Sequence, residues 1–160
     1  MKDLLLITPP FTQLNTPYPA TAYLKGFLNT KNISSYQIDL GIEVILEIFS
    51  KKGVTQIFNV KPENLSENAQ RIFALKEEYI KTIDEVIAFL QNKKPTLARQ
   101  ICSMNFLPEA SRFNQLDDME YAFGNMGLQD KAKHLATLYL EDLSDYIIEN
   151  IDENFGFSRY

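Results

Sequence analysis

The run Leu4-Leu-Leu-Ile7, halted by Pro9-Pro10, constrains this chain more than any other feature. Four consecutive apolar residues without alternation form the pattern of a strand covered on both faces, as in parallel sheets. Proline donates nothing to a ladder, so Pro9 and Pro10 end the strand. Beyond the glycine-free loop Phe11–Pro17, Ala20, Tyr23, Leu24, Phe27 and Leu28 recur at helical spacing behind Pro19, a residue suited to a first helical turn. Asn29–Ser35 is a polar break, and Tyr36–Leu40 reads as a second strand. A strand–helix–strand unit this compact is a right-handed parallel crossover in nearly every case.

The remainder reads as helix. Gly41 opens a segment, Ile42–Phe49, that is apolar nearly all round and therefore predicted to be buried, with Gly53 ending it. Val54–Val60 fits a strand or a helical turn, since periodicity does not separate the two in so short a run. Ala69, Ile72, Phe73, Tyr79, Ile80, Ile83, Val86, Ile87 and Leu90 form one stripe, which predicts a single helix over 66–92 stopped at Lys93-Lys94-Pro95. A short helix over 96–103 and a less regular stretch framed by Pro108, Gly124 and Gly127 follow. Ala132, Leu135, Ala136, Tyr139, Leu143, Tyr146, Ile147 and Ile151 then mark a long last helix from near Gln129. The expected class is α/β, predominantly helical: a parallel β-α-β portion over 1–60, an incomplete cobalamin-binding-like or Rossmann-like sheet, then a helical bundle over 61–160 that extends or interrupts the same domain.

Charge and cysteine content narrow the function. The net charge is −5, with five lysines against four acids in residues 1–60 and eleven basic against seventeen acidic side chains beyond. No basic footprint for a phosphate backbone exists, so nucleic acid is not an expected partner. Cys102 is the only cysteine, which excludes a disulfide framework and any cluster needing several thiolates from this chain. A lone thiol suits a reducing cytoplasm. No run approaches membrane-spanning length, and the Leu4–Ile7 run is too short for a signal-peptide core.

In sheets of this kind ligands sit beyond the carboxyl ends of the strands. Those ends carry Thr8-Pro9-Pro10 and Asp39-Leu40-Gly41. The intervening loop has no glycine for close backbone approach, and neither a dinucleotide fingerprint nor a GxxxxGK[ST] loop is present, which argues against phosphate cradling. Behind Pro9 and Pro10, a stiff, glycine-free rim with Phe11, Leu14 and Tyr18 suits contact with a large flat ligand or another domain; alternatively the prolines only end a strand and Tyr18 packs on its own helix. Asp39 serves equally as an acceptor for a ligand hydroxyl or as the N-cap of the next helix. His134 reads as a helix-surface residue and Cys102 as a buried structural thiol. The acids Glu141, Asp142, Asp145 and Glu149 fit the solvated face of the last helix. No nucleophilic triad or carboxylate pair is apparent.

Leu-Leu-Ile-Thr-Pro-Pro, then Pro-Tyr-Pro-Ala-Thr-Ala-Tyr-Leu-Lys-Gly-Phe-Leu, then Tyr-Gln-Ile-Asp-Leu resembles the N-terminal region of radical SAM proteins that begin with a cobalamin-binding-like domain. The closing Asn154-Phe-Gly-Phe-Ser-Arg-Tyr160 is similar to a segment ahead of the later portions of such chains, and its three aromatics suggest a longer polypeptide, unless they are a true terminus docked on the body. The resemblance covers residues 3–41 and the last few; the helical middle is not diagnostic. It implies a non-catalytic domain packing against a downstream radical SAM domain that would carry the [4Fe-4S] cluster and S-adenosylmethionine. It implies cobalamin near Pro9, Pro10, Phe11, Tyr18, Asp39 and Leu40, and it leaves room for self-association of this part alone. The three-cysteine cluster motif and the Asp-x-His-x-x-Gly cobalamin motif are both missing here. A stand-alone helical interaction module without cofactor is the competing expectation.

Overall fold

The computed structural model describes residues 3–10, 19–61, 64–103, 105–118 and 127–156. The fold is of α/β class and mostly helical, with a two-stranded parallel sheet near the start. Two compact units divide the chain, one within residues 1–47 and one spanning 48–157.

The first unit is the predicted crossover. β1 (Leu4–Thr8) and β2 (Ser35–Asp39) pair in parallel, and α1 (Ala20–Thr30) connects them. Pro19 stands just before α1, where its missing N–H costs nothing. The turn out of α1 is closed by Asn32 in the left-handed region (φ 54°), a conformation asparagine tolerates well. α2 (Leu40–Ile48) leaves β2 without a linker because Asp39 caps it: its Oδ1 accepts from the Ile42 N–H at 3.2 Å.

Burial in this unit departs from expectation. The strand is where the apolar run placed it, yet Leu4, Leu5 and Ile7 are exposed, so β1 is not covered on both faces. An uninterrupted apolar run reports what a strand is built to contact, and two strands with one helix cover only part of it. The predicted burial of Ile42–Phe49 is met only in part: Ile42 is exposed, Val44, Ile45, Leu46 and Ile48 are half-buried, and Phe49, just past α2, is fully buried.

The second unit is helical. α3 (Lys51–Asn59) makes 54–59 helix and leaves Val60 as its extended C-cap. Gly53 does not end the preceding helix as predicted; Ser50 separates α2 from α3 and caps α3, accepting the Gly53 N–H at 3.0 Å. The single helix expected over 66–92 is two, α4 (Glu67–Ala74) and α5 (Lys76–Leu90), broken at Leu75. Neither glycine nor proline marks the break. Both helices turn their apolar stripe to one core, so the periodicity reads straight through it. A 3₁₀ turn (Pro95–Leu97), α6 (Ala98–Cys102), a 3₁₀ segment (Ser111–Asp118) and α7 (Leu128–Asn150) follow among the described residues.

An aromatic cluster fills the core. The Phe58 ring lies 5.1 Å from Tyr146, 6.2 Å from Tyr79 and 6.3 Å from Phe73, and Tyr79 and Tyr139 are 5.0 Å apart. Separations of this size give offset or edge contacts that add to the area term. Among the described residues, no helix is long and apolar enough to cross a membrane.

Candidate functional site

Parallel pairing brings the two strand ends together. Thr8 stands opposite Asp39, so Pro9 and Pro10 leave the sheet beside Leu40. Thr8 is buried, its Oγ1 3.5 Å from that of Thr21 on α1, and Gln37 Nε2 donates to Thr21 Oγ1 at 2.8 Å. This small polar knot fixes α1 over the strand ends. Pro9 is exposed, while Pro10, Asp39 and Leu40 are half-buried. The N-cap role accounts for one oxygen of Asp39. Phe11, Leu14 and Tyr18 lie outside the described residues, so the expected rim is described for Pro9, Pro10, Asp39 and Leu40. Those four offer apolar contact and carboxylate acceptance, with no imidazole or thiol among them to ligate a metal.

The ladder register also sorts the sheet's faces. Side chains opposite one another in a ladder share a face, and successive residues alternate. Thr8 and Gln37 reach α1, so Leu4, Leu6, Thr8, Ser35, Gln37 and Asp39 form the face beneath that helix. Leu5, Ile7, Tyr36 and Ile38 form the other. That second face carries no charge, and Leu5, Ile7 and Tyr36 are 59%, 48% and 61% exposed. On α1 itself Tyr23, Leu24 and Phe27 make an exposed apolar stripe, with Lys31 Nζ 5.7 Å from the Phe27 ring centre. Exposed apolar area concentrated in one small unit is the signature of a contact surface.

In the helical unit the break at Leu75 opens a cleft of about 460 Å³, lined by Arg71, Leu75, Glu78 and the Asn105–Glu109 loop. Burial raises the Glu109 carboxyl, and Arg71 opposes that shift. The lining is mainly apolar, with a cation and two carboxylates at mixed positions and no convergent set of groups for a reaction.

The solvated-face expectation for the acids of α7 holds for the exposed Glu149 but fails at Asp142 and Glu141, which are buried, and in part at the half-buried Asp145. Asp142 is fully buried: Oδ2 accepts from the Ala110 N–H at 3.0 Å and more weakly from the Tyr79 hydroxyl at 3.5 Å, while Oδ1 accepts from the Arg112 N–H at 3.1 Å. Desolvation pushes its carboxyl up to about 6; the two backbone donors and Arg112 pull it down, and Asp145 pushes it further up. Burial foremost, then the Asp142 charge, raises the Tyr79 phenol far above its ordinary range. Glu141 is also buried, Asp145 clasps the Arg112 guanidinium through two bonds of 2.7 and 2.6 Å, and Glu149 accepts from both the N–H and hydroxyl of Ser66. Asp142 and Asp145 fasten the Ala110–Arg112 loop to α7, and Glu149 fastens the start of α4. Sequence spacing gave no sign of this, because the loop N–H groups that recruit Asp142 lie 30 and 32 residues away.

Cys102 is half-buried where full burial was expected, its thiol directed at the Leu128 carbonyl at 3.6 Å and raised by desolvation against the pull of Lys131. His134 is half-buried on α7. No group of three or more metal-ligating side chains gathers among the described residues. No protein-family model, curated protein or solved structure matches the chain.

Proposed function

We propose that this chain is the non-catalytic, cobalamin-binding-like region of a radical SAM iron–sulfur protein of the cytoplasm, and that its β-α-β unit packs against the radical SAM portion. One observation carries the reading: a parallel strand pair with a glycine-free, proline-stiffened exit and an apolar face on which Leu5, Ile7 and Tyr36 are exposed. A parallel sheet is stable when both faces are covered, so this unit is suited to a role inside a larger assembly. Cobalamin is the ligand the reading brings to the strand ends, against Pro9, Pro10, Phe11, Tyr18, Asp39 and Leu40, by surface contact and hydrogen bonding. The cluster and S-adenosylmethionine belong to the radical SAM portion.

The test is anaerobic purification from the native host by an affinity tag on this sequence, with iron, sulfide and cobalt quantified. The expected result is stoichiometric iron and sulfide travelling with the sequence, on the same polypeptide or a partner. Recovery with no iron–sulfur protein at any stage overturns the proposal. A second reading, a helical interaction module, draws on the closed core and separate cleft of the helical unit. It is favoured if a partner is retained after residues 1–47 are replaced by an unrelated tag.

A further inference from the structure

We propose that the cleft at the Leu75 break binds a free α-amino acid with a large apolar side chain. Arg71 receives its carboxylate, Glu109 its ammonium group, and Leu75, Phe106 and Leu107 its side chain. The site lies wholly within the helical unit and goes beyond the function proposed above, holding whether or not the chain accompanies an iron–sulfur protein.

Charge is the first support. Arg71 and Glu109 line the cleft from different segments, Arg71 from α4 and Glu109 from the loop ahead of the second 3₁₀ segment. Arg71 pulls the Glu109 carboxyl down against the rise that burial imposes, so the two charges feel each other. Yet no ion pair within 4.0 Å joins them, and none closes on Arg71, Glu78 or Glu109 from any other side chain among the described residues. A cation and a carboxylate held near each other but out of contact match a ligand with the opposite charges on neighbouring atoms. The head of an α-amino acid is such a ligand. A simple anion at Arg71 faces Glu109, and a simple amine at Glu109 faces Arg71, so either half of the head alone is opposed by the group that attracts the other half.

The walls are the second. Arg71, Ala74, Leu75 and Glu78 follow at i, i+3, i+4 and i+7, so they form one stripe that continues through the break between α4 and α5. The stripe opens on a cation, turns apolar, and closes on a carboxylate at most roughly 10 Å further along the axis. Phe106, Leu107 and Pro108 supply the rest of the apolar lining. The cleft volume of about 460 Å³ falls within the roughly 300–1,000 Å³ that small-molecule sites occupy.

The third is anchorage. Leu107 and Pro108 are buried, and the three successive N–H groups just beyond Glu109 are each held: Ala110 and Arg112 donate to Asp142, and Ser111 donates to Asn68 Oδ1 at 3.2 Å. A loop pinned in this way holds Glu109 in place before the ligand arrives, which lowers the ordering cost of binding.

Two-dimensional amide NMR of the purified full chain, titrated with L-phenylalanine, tests the site. The Leu75, Phe106, Leu107 and Glu109 amides are expected to shift together with a Kd of about 0.1–1 mM, as suits a small ligand in an open cleft. Phenethylamine lacks the carboxylate and 3-phenylpropionate lacks the ammonium group; each is expected to bind at least about tenfold more weakly, having lost one charged hydrogen bond. Arg71→Gln is expected to weaken L-phenylalanine at least about tenfold while phenethylamine binds as tightly as before or tighter, and that binding shows that the variant is folded. Glu109→Gln is expected to reverse the preference the other way, in favour of 3-phenylpropionate. A substitution that merely loosened the cleft would weaken all three ligands alike, and that result overturns the assignment. It is overturned as well if L-phenylalanine moves no cleft amide up to about 10 mM, or if either half-ligand binds the wild type as tightly as the whole.

Discussion

Replacing Asp142 with asparagine tests the reassignment of the α7 acids. Asp142 is solvent-free, and its carboxyl titrates near 6 in the fold against an ordinary value of 3.8. Between those two values the folded chain holds a proton that the unfolded chain has released, so stability falls as pH rises through this window. Roughly two units at 1.36 kcal/mol each makes about 3 kcal/mol, fully present as a penalty above pH 6 and relieved as pH drops toward 4. Asp142→Asn keeps the shape, abolishes the titration, and points an amide N–H₂ at one of the backbone donors, Ala110 or Arg112. Leaving that donor unpaired costs about 1–3 kcal/mol at every pH. The two effects nearly cancel at pH 7.5. At pH 4 the wild type has recovered its penalty, and the variant is expected to be less stable by about 1–3 kcal/mol. Urea denaturation followed by far-UV circular dichroism at both pH values reads the difference directly. Parallel pH profiles for the two proteins would refute the claim that this carboxylate is buried at a desolvation cost.

Two further substitutions probe the helical unit. Ser66→Ala removes the α4 N-cap, whose Oγ accepts the Ala69 N–H at 3.2 Å and donates to Glu149 at 2.7 Å; about 1–2 kcal/mol of stability should go, and Glu149→Gln should lose less. Equal losses from both variants in the same urea assay would show that the tie to α7, not the cap, dominates. Phe58→Ala empties the centre of the aromatic cluster beside Tyr146, Tyr79 and Phe73, with an expected loss of about 3–5 kcal/mol by thermal melting; a loss under 1 kcal/mol would mean the cluster collapses to fill the void.

The β-α-β start was legible because its signals are local. An apolar run, a proline stop, a 3.6-residue stripe and a second strand ending in Asp39 each act over a few residues. The cap role of Asp39, one of two equal readings, is likewise settled by a neighbour three residues on. Long-range features were not legible. The Leu75 break leaves no mark because the apolar stripe of α4 and α5 stays in phase across it. The fate of the α7 acids depended on loops far away in sequence, and a carboxylate that accepts two backbone N–H groups has the same helical spacing as one that faces water.

The same contrast explains the exposed strand. Sequence states how much apolar surface a segment carries; it does not state who covers it. For α7 the coverage comes from within the unit, and even carboxylates are buried. For β1 the described chain supplies one helix on one face and one strand on one edge; Leu4 at the strand start stays open on the α1 face, and Leu5 and Ile7 stay open on the other, with their backbone groups turned from β2. Side-chain direction and backbone hydrogen-bond direction both alternate with period two along a strand, so the face of Leu5 and Ile7 and their edge go uncovered together where β2 and α1 are the only neighbours of β1 among the described residues.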